Sequence, residues 1–195
     1  PLSLLAEYYS PGGGAAPFER QSLLKLRPVA GNRGLGGRVM DVRDAFVWSG
    51  EPWDRKNALH LRERQASELV PPGRVNVKYS RGCMVDTEYA VQYLQLQHGG
   101  ERPGLRTPTT LEGLDRLRNA GLLSKQDGAD LRSSYLFWRR LADAQRMVHG
   151  ASRDLLLPEP GREEMGFLAR RMGYEAPSAQ EAAAALADDV GRHRE

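Results

Sequence analysis

The chain has 195 residues, enough for one domain or one and a half, and enough to bury a core without disulfide or metal staples. It is 40% hydrophobic and 27% charged, the balance of a soluble globular protein, and its net charge of +3 includes no dense basic block of the kind nucleic-acid binding needs. Its one cysteine, Cys83, excludes an internal disulfide and the usual multi-cysteine zinc sites, and no apolar run is long enough to span a bilayer.

In chain order, residues 1–9 lead into Ser10-Pro11-Gly12-Gly13-Gly14, which reads as a flexible connection. A helix is expected from about residue 17. Phe18, Ser22, Leu23 and Leu26 fall on one side of it, Arg20, Lys25 and Arg27 are polar neighbours, and Pro28 ends or kinks it. A helix follows over residues 34–50, where Val39, Val42, Ala45 and Phe46 recur at helical spacing. Trp48 and Trp53 flank a turn at Gly50-Glu51-Pro52. The next helix runs over residues 54–69, with Ala58, Leu61, Gln65 and Leu69 on one face and Arg62, Glu63 and Arg64 on another. Pro71-Pro72-Gly73 ends it, and residues 74–78 alternate like a short strand or extended arm.

That arm enters Lys78-Tyr79-Ser80-Arg81-Gly82-Cys83-Met84-Val85-Asp86-Thr87-Glu88-Tyr89, followed by an apolar helical run to Leu96. Gly82 permits a tight loop-to-helix turn. Asp86 and Glu88 fall in a first helical turn, where carboxylates offset the positive end of the dipole. On the residues alone this is a well-capped core helix, and Cys83 is a small packed residue rather than a reactive thiol. After breaks at His98-Gly99-Gly100 and Pro103-Gly104, Thr109 and Glu112 have capping-box spacing for a helix bearing Leu111, Leu114 and Leu117, which stops at Gly121. Ser124 and Asp127 start the strongest helix. Leu131, Tyr135, Trp138, Leu141, Ala142, Gln145 and Val148 line one face of it as a core stripe. Beyond Pro158-Glu159-Pro160-Gly161, Met165, Leu168, Ala169 and Met172 mark a short helix ended by Gly173. Ser178 and Glu181 cap an alanine-rich last helix expected to fray after Val190. The fold expected is all-α or nearly so, a bundle of about six to eight helices with at most one short strand.

Common catalytic patterns are missing. His60, His98, His149 and His193 have no metal-ligand spacing. There is no Gly-x-Ser-x-Gly elbow, and Gly12-Gly13-Gly14 lacks the Lys-Ser/Thr of a phosphate-binding loop.

The Lys78-to-Tyr89 stretch resembles the signature of the glutamine synthetase adenylyltransferase family, the bifunctional adenylyltransferase/adenylyl-removing enzymes of bacterial nitrogen control. That pattern is Lys, a short spacer, Gly-Gly, an aliphatic residue, any residue, Asp or Glu, Ile, Glu, then Phe or Tyr. Lys78, Gly82, Asp86, Glu88 and Tyr89 match. Cys83 stands at the second Gly, Met84 at the aliphatic position and Thr87 at Ile. Glu19, Gln21, Leu23, Lys25, Arg27, Val29 and Gly31 resemble a second family stretch, at the end of the nucleotidyltransferase core. The likeness extends over residues 18–174.

The resemblance implies a chain that is part of an enzyme moving AMP from ATP to a tyrosine of glutamine synthetase, or removing it by phosphorolysis. Residues 1–32 would be the end of the core and its junction, 33–175 the helical domain, and 176–195 a terminal helix. The Gly-Ser turn and paired Asp-x-Asp that such chemistry needs do not occur, so no catalytic residue and no metal ligand is expected in this chain; ATP and Mg2+ belong to the complete enzyme. Lys25, Arg27, Lys78 and Arg81 would contact nucleotide phosphate, and Gly82, Asp86 and Glu88 would hold the loop or orient the basic groups. Implied partners are glutamine synthetase, a nucleotidyltransferase core in cis or trans, and the PII regulatory protein as a further candidate. No nucleic-acid or membrane partner is expected, and the cytoplasm is the expected compartment. Two alternatives stand beside this reading: a non-catalytic helical module that binds glutamine synthetase or PII, and the related uridylyltransferase that modifies PII, which fits less well at residues 27–31 and 82–89.

Overall fold

The computed structural model describes residues 1–150, 155–159 and 161–194. Among the described residues there are nine α-helices: α1 (Leu2–Tyr8), α2 (Glu19–Leu23), α3 (Arg33–Val47), α4 (Arg55–Glu68), α5 (Met84–His98), α6 (Thr110–Asn119), α7 (Lys125–His149), α8 (Glu163–Met172) and α9 (Ala179–Arg192). A 3-10 turn occupies Pro103–Leu105. The fold is an all-α bundle. The arm over residues 74–78 makes an isolated antiparallel bridge, Asn76 to Leu156, in place of a strand. Pro160, in the expected breaker, lies outside the described residues. No described helix is long and apolar enough to cross a membrane.

The chain forms two compact units, Pro1–His60 with Tyr89–Gly128 and Leu61–Glu88 with Ala129–Glu195. In the first, Leu24, Val47, Trp53, Ala58 and Leu96 form a buried cluster, with Leu23, Phe46, Trp48 and Tyr93 packed against it. Asn32 caps α3 by accepting the Leu35 N–H at 2.9 Å. At the other end of α3, Arg20 is buried and donates to the carbonyls of Val47 (3.0 Å) and Glu51 (2.8 Å). A cation there meets unpaired carbonyls and the negative end of the helix dipole.

Arg20 therefore corrects the expected face of the second helix. Phe18 is 51% exposed, whereas Arg20 and Leu24 are 2% exposed. The helix also ends at Leu23, short of Pro28, where the chain tightens (Leu26 N–H to Leu23 O, 3.0 Å). Gly12-Gly13-Gly14 is a tight turn and not a loose connection. The Gly13 N–H bonds Ser10 O at 2.9 Å, and a Cβ on Gly13 would lie 2.4 Å from Glu7 O. Thr109 does not cap α6 with its side chain; Glu112 accepts the Thr107 hydroxyl and pairs with Arg116 at 2.7 Å. Both contacts pull the Glu112 carboxyl below its ordinary pKa, the Thr107 bond most.

In the second unit, Val77, Trp138, Leu141, Ala142, Leu168, Ala169 and Leu186 are fully buried. The expected stripe on α7 is the core: Tyr135, Trp138, Leu141, Ala142 and Gln145 are all buried. Residues 75–77 and 155–157 run alongside one another, with Val77 N–H to Leu155 O at 2.9 Å and Leu157 N–H to Val75 O at 2.7 Å. Ser178 caps α9 by accepting the Glu181 N–H at 3.1 Å. Gly173 ends α8 in the left-handed region at φ 90°, where Tyr174 N–H reaches Ala169 O at 3.0 Å. The end of α9 is packed beyond Val190, contrary to the fraying expected there. The helix runs to Arg192, and the next two residues are bonded to the signature turn and to α7.

Candidate functional site

The arm and turn before α5 are held by their own backbone. The Asn76 side-chain oxygen accepts the N–H groups of Lys78 (2.9 Å) and Tyr79 (3.0 Å), and Ser80 Oγ accepts the Asn76 N–H (2.8 Å). Two N–H groups of the first turn of α5, which a helix leaves without partners, go to the arm: Met84 to Val77 O (3.4 Å) and Val85 to Lys78 O (3.1 Å). Asp86 then reaches back and accepts the Gly82 N–H on Oδ2 at 2.6 Å. An anion arriving at this helix start finds those amides already bonded.

Arg62 of α4 completes the turn. Its Nε pairs with Asp86 Oδ1 at 2.5 Å, and its Nη2 donates to the carbonyls of Tyr79 (3.0 Å) and Ser80 (2.9 Å). Arg62 is 6% exposed, a correction to the solvent-facing side of α4 where helical spacing places it. Leu69, expected on the buried face, is 47% exposed. Only a side chain with several donors in a planar fork serves one carboxylate and two carbonyls together. Spacing within α4 carries no sign of this; the acceptors come from the turn. From above, Trp138 of α7 donates Nε1–H to Gly82 O at 3.0 Å.

The seven residues singled out from sequence fall in two sets. Lys25 and Arg27 belong to the first unit and lie past the end of α2, Lys25 half-buried in a turn and Arg27 exposed. Lys78, Arg81, Gly82, Asp86 and Glu88 belong to the second. Gly82 and Asp86 are bonded to each other. Lys78 Nζ lies 4.8 Å from the centre of the Tyr79 ring. The Arg81 guanidinium is exposed, 3.6 Å from Glu63. Glu88 accepts the Tyr135 hydroxyl at 3.1 Å. A cleft of about 480 Å³ opens beside the turn, lined by Gly82 and Asp86 together with Ser133, Ser134, Arg192 and His193 among others.

These acids do not suit a magnesium ion. Both Asp86 oxygens serve the turn, Glu88 serves Tyr135, and no cluster of three or more His, Cys, Asp or Glu side chains among the described residues is placed to hold a metal. Cys83, 1% exposed, is a packed residue of the turn; burial pushes its thiol pKa up to about 12.

Residues 53–195 match a family model described as GlnD PII-uridylyltransferase. The chain is 36% identical over 163 residues to the bifunctional glutamine synthetase adenylyltransferase/adenylyl-removing enzyme of Bifidobacterium longum, covering 80% of this chain and 15% of that protein. It is 35% identical over 163 residues to the enzyme of the same name from Streptomyces avermitilis (80% and 16%), and 33% identical over 181 residues to that from Mycobacterium tuberculosis (90% and 18%). The chain belongs to the glutamine synthetase adenylyltransferase family. It spans 15–18% of the length of these curated relatives. The turn built by Asn76, Arg62 and Asp86 lies within residues 53–195, the stretch that the family model matches.

Proposed function

We propose that this chain is the helical region following the nucleotidyltransferase core of a glutamine synthetase adenylyltransferase, a cytoplasmic enzyme of nitrogen regulation. Residues 1–32 are its junction with the core, 33–175 the helical domain and 176–195 the terminal helix. The complete enzyme moves AMP from ATP to a tyrosine of glutamine synthetase, or removes it, with Mg2+ bound by the core. This chain supplies one wall of the cleft and a docking surface for glutamine synthetase. Lys25, Arg27, Lys78 and Arg81 are its phosphate contacts; Gly82, Asp86 and Glu88 keep the turn in shape. The observation that carries the reading is the Lys78-to-Tyr89 signature within a chain 33–36% identical to relatives of that name.

A second reading has its own support. Asp86 and Glu88 are both occupied in bonds within the fold, as a helical module binding glutamine synthetase or PII without nucleotide contacts would have them. Calorimetric titration of the chain with Mg-ATP, and with Mg-UTP because of the family model's name, separates the two. Under the nucleotide reading Mg-ATP binds in preference to Mg-UTP, and Lys78→Ala or Arg27→Ala weakens it roughly tenfold, about 1.4 kcal/mol. Absence of heat with either nucleotide, while the chain still retains glutamine synthetase, favours the module. With the core joined, Glu88→Ala lowers AMP transfer and leaves glutamine synthetase binding unchanged; equal loss of both counts against a catalytic contribution.

A further inference from the structure

We propose that residues 192–194, where α9 ends, form a strap that closes over the signature turn and controls access to it. Three kinds of contact hold it. The His193 ring stacks on Phe137 at 4.2 Å between centroids and 22° between planes. The His193 carbonyl accepts the Ser134 hydroxyl at 3.2 Å. Arg194 donates Nε–H to Arg81 O at 3.3 Å. The approach to the turn is close enough to depend on a missing side chain: a Cβ on Gly82 would stand 2.2 Å from Arg194 O and 2.7 Å from Arg194 Cα.

The strap differs from what lies beneath it. The last buried residue of α9 is Val190, and the Arg192 side chain is 75% exposed. Beneath, Cys83 is 1% exposed and Trp138 fully buried. Apart from its backbone bonds to α9, from His193 N–H to Asp189 O and Arg194 N–H to Gly191 O, the segment is held by two hydrogen bonds and by the His193 ring against Phe137 and Trp138, so its lifting leaves the α7–α8–α9 core intact, the usual condition for local opening. The cleft of about 480 Å³ beside the turn is lined by Arg192, His193 and Arg194 together with Gly82 and Asp86, so a ligand there touches the strap and the turn at once. Lifting the strap frees Arg81 O, uncovers Gly82 and opens a path to Cys83. Regulation of nucleotide contact at Lys78 and Arg81 by this strap rests on the function proposed above; the strap itself does not.

Cys83 is the only cysteine and reports the opening directly. Alkylation of the full chain by iodoacetamide under native conditions, followed by mass spectrometry, gives the rate at which its sulfur is reached. Loss of the ring pair in His193→Ala, or of its platform in Phe137→Leu, is expected to speed alkylation about five- to tenfold. Strap opening exposes little surface, so the accelerated rate stays nearly flat in low urea, whereas global unfolding makes it climb steeply. Unchanged rates in both variants, or rates that climb with urea in step with unfolding, overturn the strap. Slowing by Mg-ATP in His193→Ala joins the strap to the nucleotide reading. Faster alkylation that Mg-ATP leaves alone upholds the strap and removes its link to nucleotide.

Discussion

Gly82 meets two separate demands. Its φ of 75° is a conformation L side chains rarely adopt, and the space where a Cβ would sit belongs to Arg194. Gly82→Ala is therefore expected to cost about 1–3 kcal/mol through backbone strain alone, seen as a lower urea midpoint. His193 makes a prediction in pH. Burial, helped by the nearby Arg192 charge, holds its pKa below the ordinary 6.5. Above that value the imidazole is neutral in both folded and unfolded chains. As pH falls through it, the unfolded chain takes up a proton that the stacked ring resists, so stability is fullest above 6.5 and declines below it. Thermal melts of the wild type should show this slope before the carboxylates titrate, and His193→Gln should flatten it. Glu112 adds a later loss, since its lowered pKa makes its contribution fall away as pH drops below the ordinary 4.5.

At the scale of elements, the signature turn is a joint made by α4, α5 and α7. Helix α5 contributes Asp86, α4 contributes Arg62 and α7 contributes Trp138. Removing Arg62 takes the side-chain donor from the part-buried Tyr79 carbonyl, leaves the Ser80 carbonyl with only the Cys83 N–H, and unpairs the inward side of a carboxylate that is 37% exposed. Arg62→Met should destabilise by about 2 kcal/mol, the cost of unsatisfied polar groups discounted for the solvent Asp86 still sees. Arg62→Lys should recover only part of that, because a single ammonium cannot serve acceptors in three directions. Urea unfolding of both variants gives the comparison, and equal stability of Arg62→Met and wild type would show that the ion pair contributes nothing net. A long helix such as α7, 25 residues and roughly 37 Å, draws its own stability from its buried stripe and not from propensity.

For the whole molecule, each unit depends on a small set of fully buried aliphatic side chains. Leu168 of α8, fully buried, is one. Leu168→Ala is expected to cost about 2–5 kcal/mol, a large share of a total near 5–15 kcal/mol. Equilibrium urea unfolding should show the midpoint drop; a shift under 1 kcal/mol would mean that the site closes up around the smaller side chain.

Chain order and helix periodicity were enough to foresee the all-α fold, the start of α3, both ends of α4, the Ser178 cap that starts α9 and the core stripe of α7, because caps, breakers and the 3.6-residue repeat are local properties. The signature turn was legible as a glycine turn opening an acidic helix start. What encloses it was not. Arg20 and Arg62 read as surface charges until the fold brings carbonyls and a carboxylate to them, and burial of a cation is decided by acceptors distant in sequence. Residues 192–194 read as a fraying tail until Arg81 O, Ser134 and Phe137 are placed beside them. Sequence determined the all-helical class, where most helices start and the family resemblance of the turn; tertiary structure decided where α2 and α9 stop, which charges are buried and what closes over the turn, because hydrogen-bond partners and steric neighbours are set by contacts that no local pattern records.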